Sequence, residues 1–291
     1  MTRRTDDETL QVAIPKGRMY DGVAQLLAEA GINLTQTARN YRPHLNLPEC
    51  EVKILKPQSI VEMLHAGSRD VGFAGADWVA ELDGDLVELV DTGLDPVRVV
   101  AAAPTSLAPN GVLPEIPLVV ASEYERLTRR WIAERRLDAT FVRSYGATEV
   151  FPPEDADLIV DNTATGSTLK ANNLLIIDEL MESSTRLYAN PAALAHPDRR
   201  QAIDGLVLLV NSVLEARRRV MVEVNVTDDT LDAVLAVLPC MRQPTVSRLA
   251  GGGGFAVKAA VPRADLPLVM PRLKAAGGAD LVVTRLAQIV P

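Results

Sequence analysis

Short apolar runs alternate with amphipathic segments through the first 180 residues of the chain. The runs Leu10–Ile14, Val52–Leu55, Val71–Ala74 and Val97–Ala102 predict strands, and Ile60–Leu64 predicts a helix between the second and the third of them. Gly31 can end a helix between the first two runs, and the apolar face of that helix comprises Val23, Leu26, Leu27 and Ala30. This alternation predicts a doubly wound α/β architecture, in which ligands bind at the carboxyl ends of the strands.

A segment rich in proline, glycine and asparagine, 104–117, separates this first set of elements from a second one. The second set is predicted to contain the strands Leu118–Ala121, Thr140–Val142 and Leu174–Ile177 and a helix around Trp131. The run Ser184–Tyr188 then returns the chain to the first set. We therefore predict two lobes with a cleft between them, lobe I from 1–103 and 181–215 and lobe II from 104–180.

The last part of the chain follows a different order. Apolar periodicity from Asp198 to Arg219 predicts a connecting helix. The order β-α-β-β-α-β that follows, within 216–291, predicts a small ferredoxin-like domain. Its predicted elements are Val220–Val226, Leu231–Leu238, Thr245–Leu249, Phe255–Val261, Leu266–Ala276 and Leu281–Ile289. The glycines 251–254 lie between two of these strands with no helix after them, so they predict a hairpin loop and not a dinucleotide site.

Composition narrows the class of protein. The chain has 291 residues, of which 47% are hydrophobic and 23% charged, as in ordinary globular proteins. The segment Met1–Glu8 carries charges of both signs and no apolar core, which predicts neither a signal peptide nor a membrane span and favours the cytoplasm. The net charge of -8 argues against a general nucleic-acid binder. Cys50, Cys240 and the histidines have neither disulfide nor metal-ligand spacing, so no metal site is predicted from them.

The segment Asp157–Asn172, DLIVDNTATGSTLKAN, carries the most specific chemistry. An apolar strand ends in Asp161, and a small hydroxyl-rich turn, Thr165–Thr168, leads into a helix. Such a turn offers backbone N–H groups and a helix N-terminus to a phosphate, while a carboxylate can accept hydrogen bonds from two ribose hydroxyls. The alternative is a capped helix after a buried strand. Because the acid precedes the turn, we favour a site for a phosphorylated sugar.

Three further turns follow strands. Lys16-Gly17-Arg18 sets two cations at a strand end, either for polyphosphate oxygens or as a solvated surface turn. In Gly72–Asp77, Gly75 permits close backbone approach, and Asp77 can meet a ligand or, more commonly, cap the helix. Ser144–Glu149 places Glu149 in a first helical turn. The sequence contains no P-loop signature.

These motifs together resemble the long form of ATP phosphoribosyltransferase, the first enzyme of histidine biosynthesis. The resemblance covers nearly the whole chain, and its most specific part is Asp161–Asn172. It implies a periplasmic-binding-protein-like catalytic unit with two lobes, joined to a C-terminal ferredoxin-like (ACT-like) domain. It also implies transfer of the phosphoribosyl group of phosphoribosyl pyrophosphate to N1 of ATP, with Mg²⁺ as cofactor.

The resemblance also implies roles for individual residues. Asp161 would hold the ribose hydroxyls and Thr165, Gly166, Ser167 and Thr168 the 5-phosphate, while Lys16 and Arg18 would face nucleotide or pyrophosphate. The other expected substrate contacts are Gly17, Lys56, Gly75, Asp77, Glu149 and Thr163. The family usually has arginine at the position of Lys56 and often aspartate at that of Ser59. Histidine is the expected inhibitor, with Asn225, Met241 and Thr245 in its pocket, and the expected assembly is a dimer and a hexamer.

Two other classes of protein share parts of this pattern. A prephenate dehydratase also joins two α/β lobes to an amino-acid-sensing domain. Its Thr-Arg-Phe signature corresponds here only to Thr185-Arg186-Leu187, and that reaction has no use for a phosphate turn. A non-catalytic two-lobed binding protein would normally be exported, and the start of this sequence has no export signal.

Overall fold

The computed structural model describes residues 9–35 and 41–291, so the segment Met1–Glu8 discussed above lies outside the described residues. These residues form two units, one within 1–25 and 32–204 and the other from Leu26–Gly31 and Gly205–Pro291. The elements up to residue 195 are β1 (Leu10–Pro15), α1 (Arg18–Glu29), β2 (Leu34–Thr35), β3 (His44–Leu45), β4 (Cys50–Leu55), α2 (Pro57–His65), β5 (Val71–Gly75), α3 (Ala76–Leu82), β6 (Val87–Pro104), β7 (Leu118–Ser122), α4 (Glu125–Arg135), β8 (Ala139–Arg143), β9 (Leu158–Thr163), α5 (Ser167–Ala171), β10 (Leu174–Ala189) and α6 (Pro191–Ala195).

The first unit contains a mixed sheet of strand order β4-β1-β5-β10-β6-β9-β7-β8. Strand β1 is parallel to β4 and β5, and β7 is parallel to β8 and β9. We call these two triplets the first and the second half of the sheet. Both are joined through β10 and β6, which run antiparallel to each other and to their outer neighbours. The predicted α/β class is therefore confirmed, with a sheet that is mixed and not purely parallel.

The two long strands are the main departure from the sequence prediction. Strand β6 has 18 residues and β10 has 16, whereas the apolar runs indicated only Val97–Ala102, Leu174–Ile177 and Ser184–Tyr188. Polar residues interrupt these runs because parts of both strands are solvent-exposed. Hydrogen bonding between the two strands, and not apolar periodicity, carries the sheet across these parts.

Each half of the sheet has its own apolar packing. In the first half, Ile60, Val61 and Leu64 of α2 are completely buried beside Ala13 and Ala74. In the second half, Leu127 and Trp131 of α4 are buried in a cluster that includes Val120 and Leu158. Helices thus cover the strands as the alternating pattern predicts.

The second unit contains the end of α7 (Pro197–Arg218), then β11 (Arg219–Val226), α8 (Leu231–Val237), β12 (Thr245–Arg248), β13 (Phe255–Pro262), α9 (Leu266–Ala275) and β14 (Ala279–Arg285). The sheet order β12-β13-β11-β14 is that of a ferredoxin-like domain, as predicted. The glycines 251–254 form the hairpin between β12 and β13, which confirms that prediction.

The predicted last strand, Leu281–Ile289, is wrong at its C-terminal end. Strand β14 ends at Arg285, and the backbone N–H of Ile289 donates a hydrogen bond of 2.9 Å to the carbonyl of Ser212 on α7. The segment Leu286 to Val290, apolar except for Gln288, therefore looks like a strand continuation in sequence but leaves the sheet. Among the described residues, no helix is both long and apolar enough to cross a membrane.

Candidate active site

Asp161 lies in β9, on the second half of the sheet, where the apolar residues Leu158–Val160 are completely buried. Its Oδ1 accepts a hydrogen bond of 2.7 Å from the backbone N–H of Asn162. Burial raises the pKa of the Asp161 carboxyl to about 6, and the nearby charges of Glu149 and Glu123 also raise it, against the lowering effect of that N–H. A carboxylate that is costly to ionise and close to other acids favours ligands that bring donors or positive charge.

The turn after Asp161 is shaped by its own hydroxyl groups. Gly166 has φ of +76°, in the left-handed region, and its N–H donates 3.0 Å to Oγ1 of Thr163. The N–H of Ser167 reaches Oγ1 of Thr165 at 3.4 Å, a long contact that an anion could replace. The expectation that the turn leaves its backbone N–H groups free is therefore wrong for Gly166. Thr163 is mostly buried and holds the turn in shape.

A cavity of about 380 Å³, which we call the Asp161 cavity, lies against this turn. It collects most of the residues that the sequence assigned to the sugar phosphate, together with a cation from the first strand-to-helix turn. These residues are Arg18, Glu149, Asp161, Thr163, Thr165, Ser167 and Thr168.

A second cavity, of about 330 Å³, is lined by Lys16, Arg18, Gly75 and Asp77. We call it the Lys16 cavity. Its remaining walls include Trp78, Asp95, Val97, Asn162 and the β10 residues Ser183–Thr185. The ammonium of Lys16 lies 5.9 Å from the ring centroid of the exposed Tyr41. Gly17 has φ of +79°, so a glycine there suits the turn that carries both cations.

Arg18 and Asn162 line both cavities. Two ligands, one in each cavity, would therefore approach each other beside these two residues. Lys56, Gly17 and Gly166 are not lining residues of either cavity, although each adjoins one that is. Asn162 could not be singled out from the sequence, because an amide after a strand acid is common and alternation predicts that it faces away from Asp161.

Asp77 does not act as the predicted helix cap. The N-cap of α3 is Gly75, which has no side chain, and the backbone N–H of Asp77 in the first turn donates to the Ser183 hydroxyl of β10. The buried carboxylate of Asp77 instead accepts hydrogen bonds from the Tyr124 hydroxyl at 2.6 Å and the Ser183 hydroxyl at 2.7 Å. At the edge of the Lys16 cavity, Asp77 thus links α3 to β10 through Ser183 and to the connection between β7 and α4 through Tyr124.

The second unit has its own cavity, of about 330 Å³, which we call the Met241 cavity. Met241 and Thr245 line it, as do Met221, Lys258 and the tail residues 289–291. Asn225 is not among the lining residues, and its amide donates a hydrogen bond of 3.1 Å to Asp280. The structure therefore brings together two of the three residues expected to bind an inhibitor.

The fold and these cavities define a class of protein with an α/β unit that carries two adjacent polar cavities and a ferredoxin-like C-terminal unit. The family models that match are ATP phosphoribosyltransferase (HisG), over residues 56–212, and the HisG C-terminal domain, over 216–288. The chain belongs to the ATP phosphoribosyltransferase family.

Individual relatives agree with the family match. Proteins named ATP phosphoribosyltransferase from Pelotomaculum thermopropionicum and Desulforudis audaxviator are each 37% identical over 287 residues, covering 97% of this chain and 99% of theirs. A solved structure of the ATP phosphoribosyl transferase (HisG:HisZ) complex from Thermotoga maritima has a TM-score of 0.61 and 26% identity. It covers 70% of this chain and 99% of the matched chain.

Proposed function

We propose that the chain transfers the phosphoribosyl group of phosphoribosyl pyrophosphate to N1 of ATP, giving phosphoribosyl-ATP and pyrophosphate, the first step of histidine biosynthesis. Family membership over nearly the full length supports this reaction. The observation that carries the assignment to a site is the meeting of the Asp161 and Lys16 cavities at Arg18 and Asn162. A two-substrate transfer needs such adjacent sites.

In this mechanism the lone pair of N1 attacks the anomeric carbon while the bond from that carbon to the pyrophosphate oxygen breaks. The pyrophosphate leaves with the bonding electrons, and the configuration at carbon inverts. Asp161 accepts hydrogen bonds from the ribose hydroxyls, and the turn from Thr165 to Thr168 holds the 5-phosphate. Lys16 and Arg18 offset the negative charge that grows on the pyrophosphate. No protein nucleophile is required, so catalysis rests on alignment and charge.

The expected cofactor, Mg²⁺, fits these residues. Mg²⁺ usually binds one or two protein carboxylates and takes its other ligands from water and substrate phosphates. Asp161 and Glu149 both line the Asp161 cavity, and their charges act on one another. They are the groups that would hold the ion, which supplies positive charge to the pyrophosphate when bound.

A pyrophosphate-release assay with phosphoribosyl pyrophosphate, ATP and Mg²⁺ tests the proposal. Turnover should require both substrates, and the product should be identified as phosphoribosyl-ATP by mass spectrometry. Conversion of prephenate by the same preparation, without pyrophosphate release, would favour the dehydratase alternative. In the structure Arg186 of the Thr185-Arg186-Leu187 segment pairs with Glu88 at 2.8 Å, which gives it a local role in the sheet.

We extend the proposal to regulation and assembly. The chain is divided into lobe I (1–103 and 181–215), lobe II (104–180) and a regulatory domain (216–291). It works in the cytoplasm and assembles into homo-oligomers, as a dimer and as a hexamer. Histidine is the proposed inhibitor. The Met241 cavity supports this part, because the apolar Met241 and the polar Thr245 both line it. Titration calorimetry with L-histidine tests it directly.

A further inference from the structure

A chain of hydrogen bonds passes from one half of the sheet to the other through a buried tyrosine. The Tyr124 hydroxyl donates to Oδ2 of Asp77 at 2.6 Å and accepts from Nδ2 of Asn162 at 2.9 Å. Tyr124 is completely buried, and its ring stacks on Trp78 with centroids 4.7 Å apart. The ring therefore has little freedom to move, and its oxygen is a fixed point for the Asn162 side chain.

The donor and the acceptor in each of these hydrogen bonds follow from the chemistry of the three side chains. Burial and the adjacent Asp77 carboxylate raise the pKa of the Tyr124 phenol well above its ordinary value, so the hydroxyl keeps its proton. That proton goes to Asp77, and the oxygen can then only accept. Asn162 must consequently turn its amino group toward Tyr124. Within the described part of the chain, no donor reaches the Oδ1 atom of Asn162, which remains available as an acceptor.

Asn162 follows Asp161 and lines both cavities. We infer that Tyr124 is a positioning residue, which holds the Asn162 amide so that its oxygen accepts a hydrogen bond from the pentose hydroxyls alongside Asp161. This inference rests on the proposed function, and it assigns to substrate binding a residue that the motif itself does not single out. Tyr124 does not touch the substrate but acts through Asn162.

A purely structural role for Tyr124 makes a different prediction, and the chain offers a matched control. Glu81 lies one turn after Asp77 on α3, is buried, and accepts hydrogen bonds of 3.0 Å from the N–H groups of Arg126 and Leu127. It caps α4 from the other half of the sheet. Replacing Glu81 loosens the same α3–α4 contact without touching Asn162.

A double-mutant cycle separates the two roles. Tyr124→Phe, Asn162→Ala and the double variant are compared with wild type for kcat/KM toward phosphoribosyl pyrophosphate, and Glu81→Gln is measured as the control. Tyr124→Phe and Asn162→Ala should each lower this quantity about tenfold. The double variant should be no worse than Asn162→Ala, because the tyrosine acts through the amide. Glu81→Gln should lower the melting temperature and leave kcat/KM within about twofold of wild type.

Three results would overturn the inference. These are wild-type kcat/KM in either single variant, multiplication of the two single losses in the double variant, or an equal loss in Glu81→Gln. If Tyr124→Phe does not fold, Asn162→Asp takes its place, because it keeps an acceptor oxygen but removes the amino group that Tyr124 holds, and wild-type kcat/KM in that variant would overturn the positioning role. If wild type shows no turnover, which defeats the proposed function, the same variants are titrated with phosphoribosyl pyrophosphate by calorimetry, and equal affinities then overturn the positioning role separately.

Discussion

Asp77 and Ser183, 106 residues apart in sequence, exchange two hydrogen bonds. The Ser183 hydroxyl donates to Oδ1 of Asp77 at 2.7 Å, and the backbone N–H of Asp77 donates to the same hydroxyl oxygen at 3.0 Å. Both residues are buried at the wall of the Lys16 cavity. The pair fixes the start of α3 on β10, and the fixed carboxylate then receives the Tyr124 hydroxyl.

Gly75 is required by this pair. A Cβ atom at residue 75 would lie 2.2 Å from Oδ1 of Asp77, so Gly75→Ala must push the carboxylate away from Ser183. We expect Gly75→Ala to lower the free energy of unfolding by about 1 to 3 kcal/mol, the cost of leaving buried polar groups unpaired. Gly205→Ala in α7 is the control, because its Cβ meets no atom within 4 Å and should be neutral or slightly stabilising. Urea denaturation of both variants measures the difference, and equal stabilities would contradict the role of Gly75.

The sugar-phosphate site can be tested by substitutions at two residues, Asp161 and Thr168. Asp161→Asn and Thr168→Ala should each lower kcat/KM for phosphoribosyl pyrophosphate by roughly ten- to a hundredfold, since each removes a hydrogen bond to a charged or polar substrate group worth about 1.5 to 3 kcal/mol. Circular dichroism should show an unchanged fold. Ser247→Ala, at an exposed position of the second unit that does not line the Met241 cavity, is a distant control and should keep wild-type kinetics. Wild-type kinetics at subsaturating phosphoribosyl pyrophosphate in both variants would remove this turn from the site.

The raised pKa of Asp161 predicts a dependence of activity on pH. As the pH falls through about 6, the carboxyl gains a proton and loses its charge, so kcat/KM for phosphoribosyl pyrophosphate should decline on the acid side. The substrate phosphate also titrates near this pH, but that effect is common to wild type and Asp161→Asn. A decline of the same shape in both proteins would show that Asp161 is not the titrating group.

The same shift predicts a pH-dependent stability difference. The folded protein holds the Asp161 proton more tightly than the unfolded chain, whose carboxyl has the ordinary pKa of 3.8, so stability falls as the pH rises from about 4 to about 6. Above that window the full cost of the buried charge is present. Asp161→Asn should therefore melt at a higher temperature than wild type at pH 8, with a smaller difference at pH 4. Calorimetric scans at the two pH values check this sign.

Lys16 and Arg18 should serve binding and not folding. Exposed cations contribute little to stability, whereas beside two anionic substrates they offset charge directly. The double replacement Lys16→Gln with Arg18→Gln should lower turnover strongly and change the melting temperature little. Lys170, exposed on α5 and not a lining residue of the described cavities, gives the matched charge-removal control as Lys170→Gln. Unchanged turnover in the double variant would return both cations to an ordinary surface turn.

Inhibitor binding at the Met241 cavity can be measured without activity. L-Histidine at millimolar concentration should raise the melting temperature of the intact protein through linkage. Thr245→Ala should reduce that shift, whereas Ser247→Ala, on the same exposed strand but not lining the cavity, should keep it. A wild-type protein that shows neither heat of binding nor a thermal shift would limit this unit to assembly.

The sequence predicted most elements because buried apolar residues recur along the chain with the period of the helix or strand that contains them. It predicted β1, α2 and the ferredoxin-like order closely. In α2 the apolar residues Ile60, Val61 and Leu64 repeat at helical spacing, and in β11 buried residues alternate along Val220 to Val226 at strand spacing. It could not predict the length of β6 and β10, where polar residues are paired by backbone hydrogen bonds. It also missed Asn162, Ser183 and Tyr124, because their roles depend on contacts between segments that are far apart in sequence.

The two long strands also determine how the substrate-binding unit can deform. The halves of the sheet are joined by the continuous β6–β10 ribbon, whose pairing is irregular at several places between Ile176 and Tyr188. Bulged pairs concentrate twist and bending in a sheet. Ser183 to Thr185 lie in this irregular strip and also form a wall of the Lys16 cavity. The irregular part of the ribbon is thus in direct contact with the space for a substrate, so we expect a bound nucleotide to restrain it and to slow the exchange of its amide hydrogens with solvent.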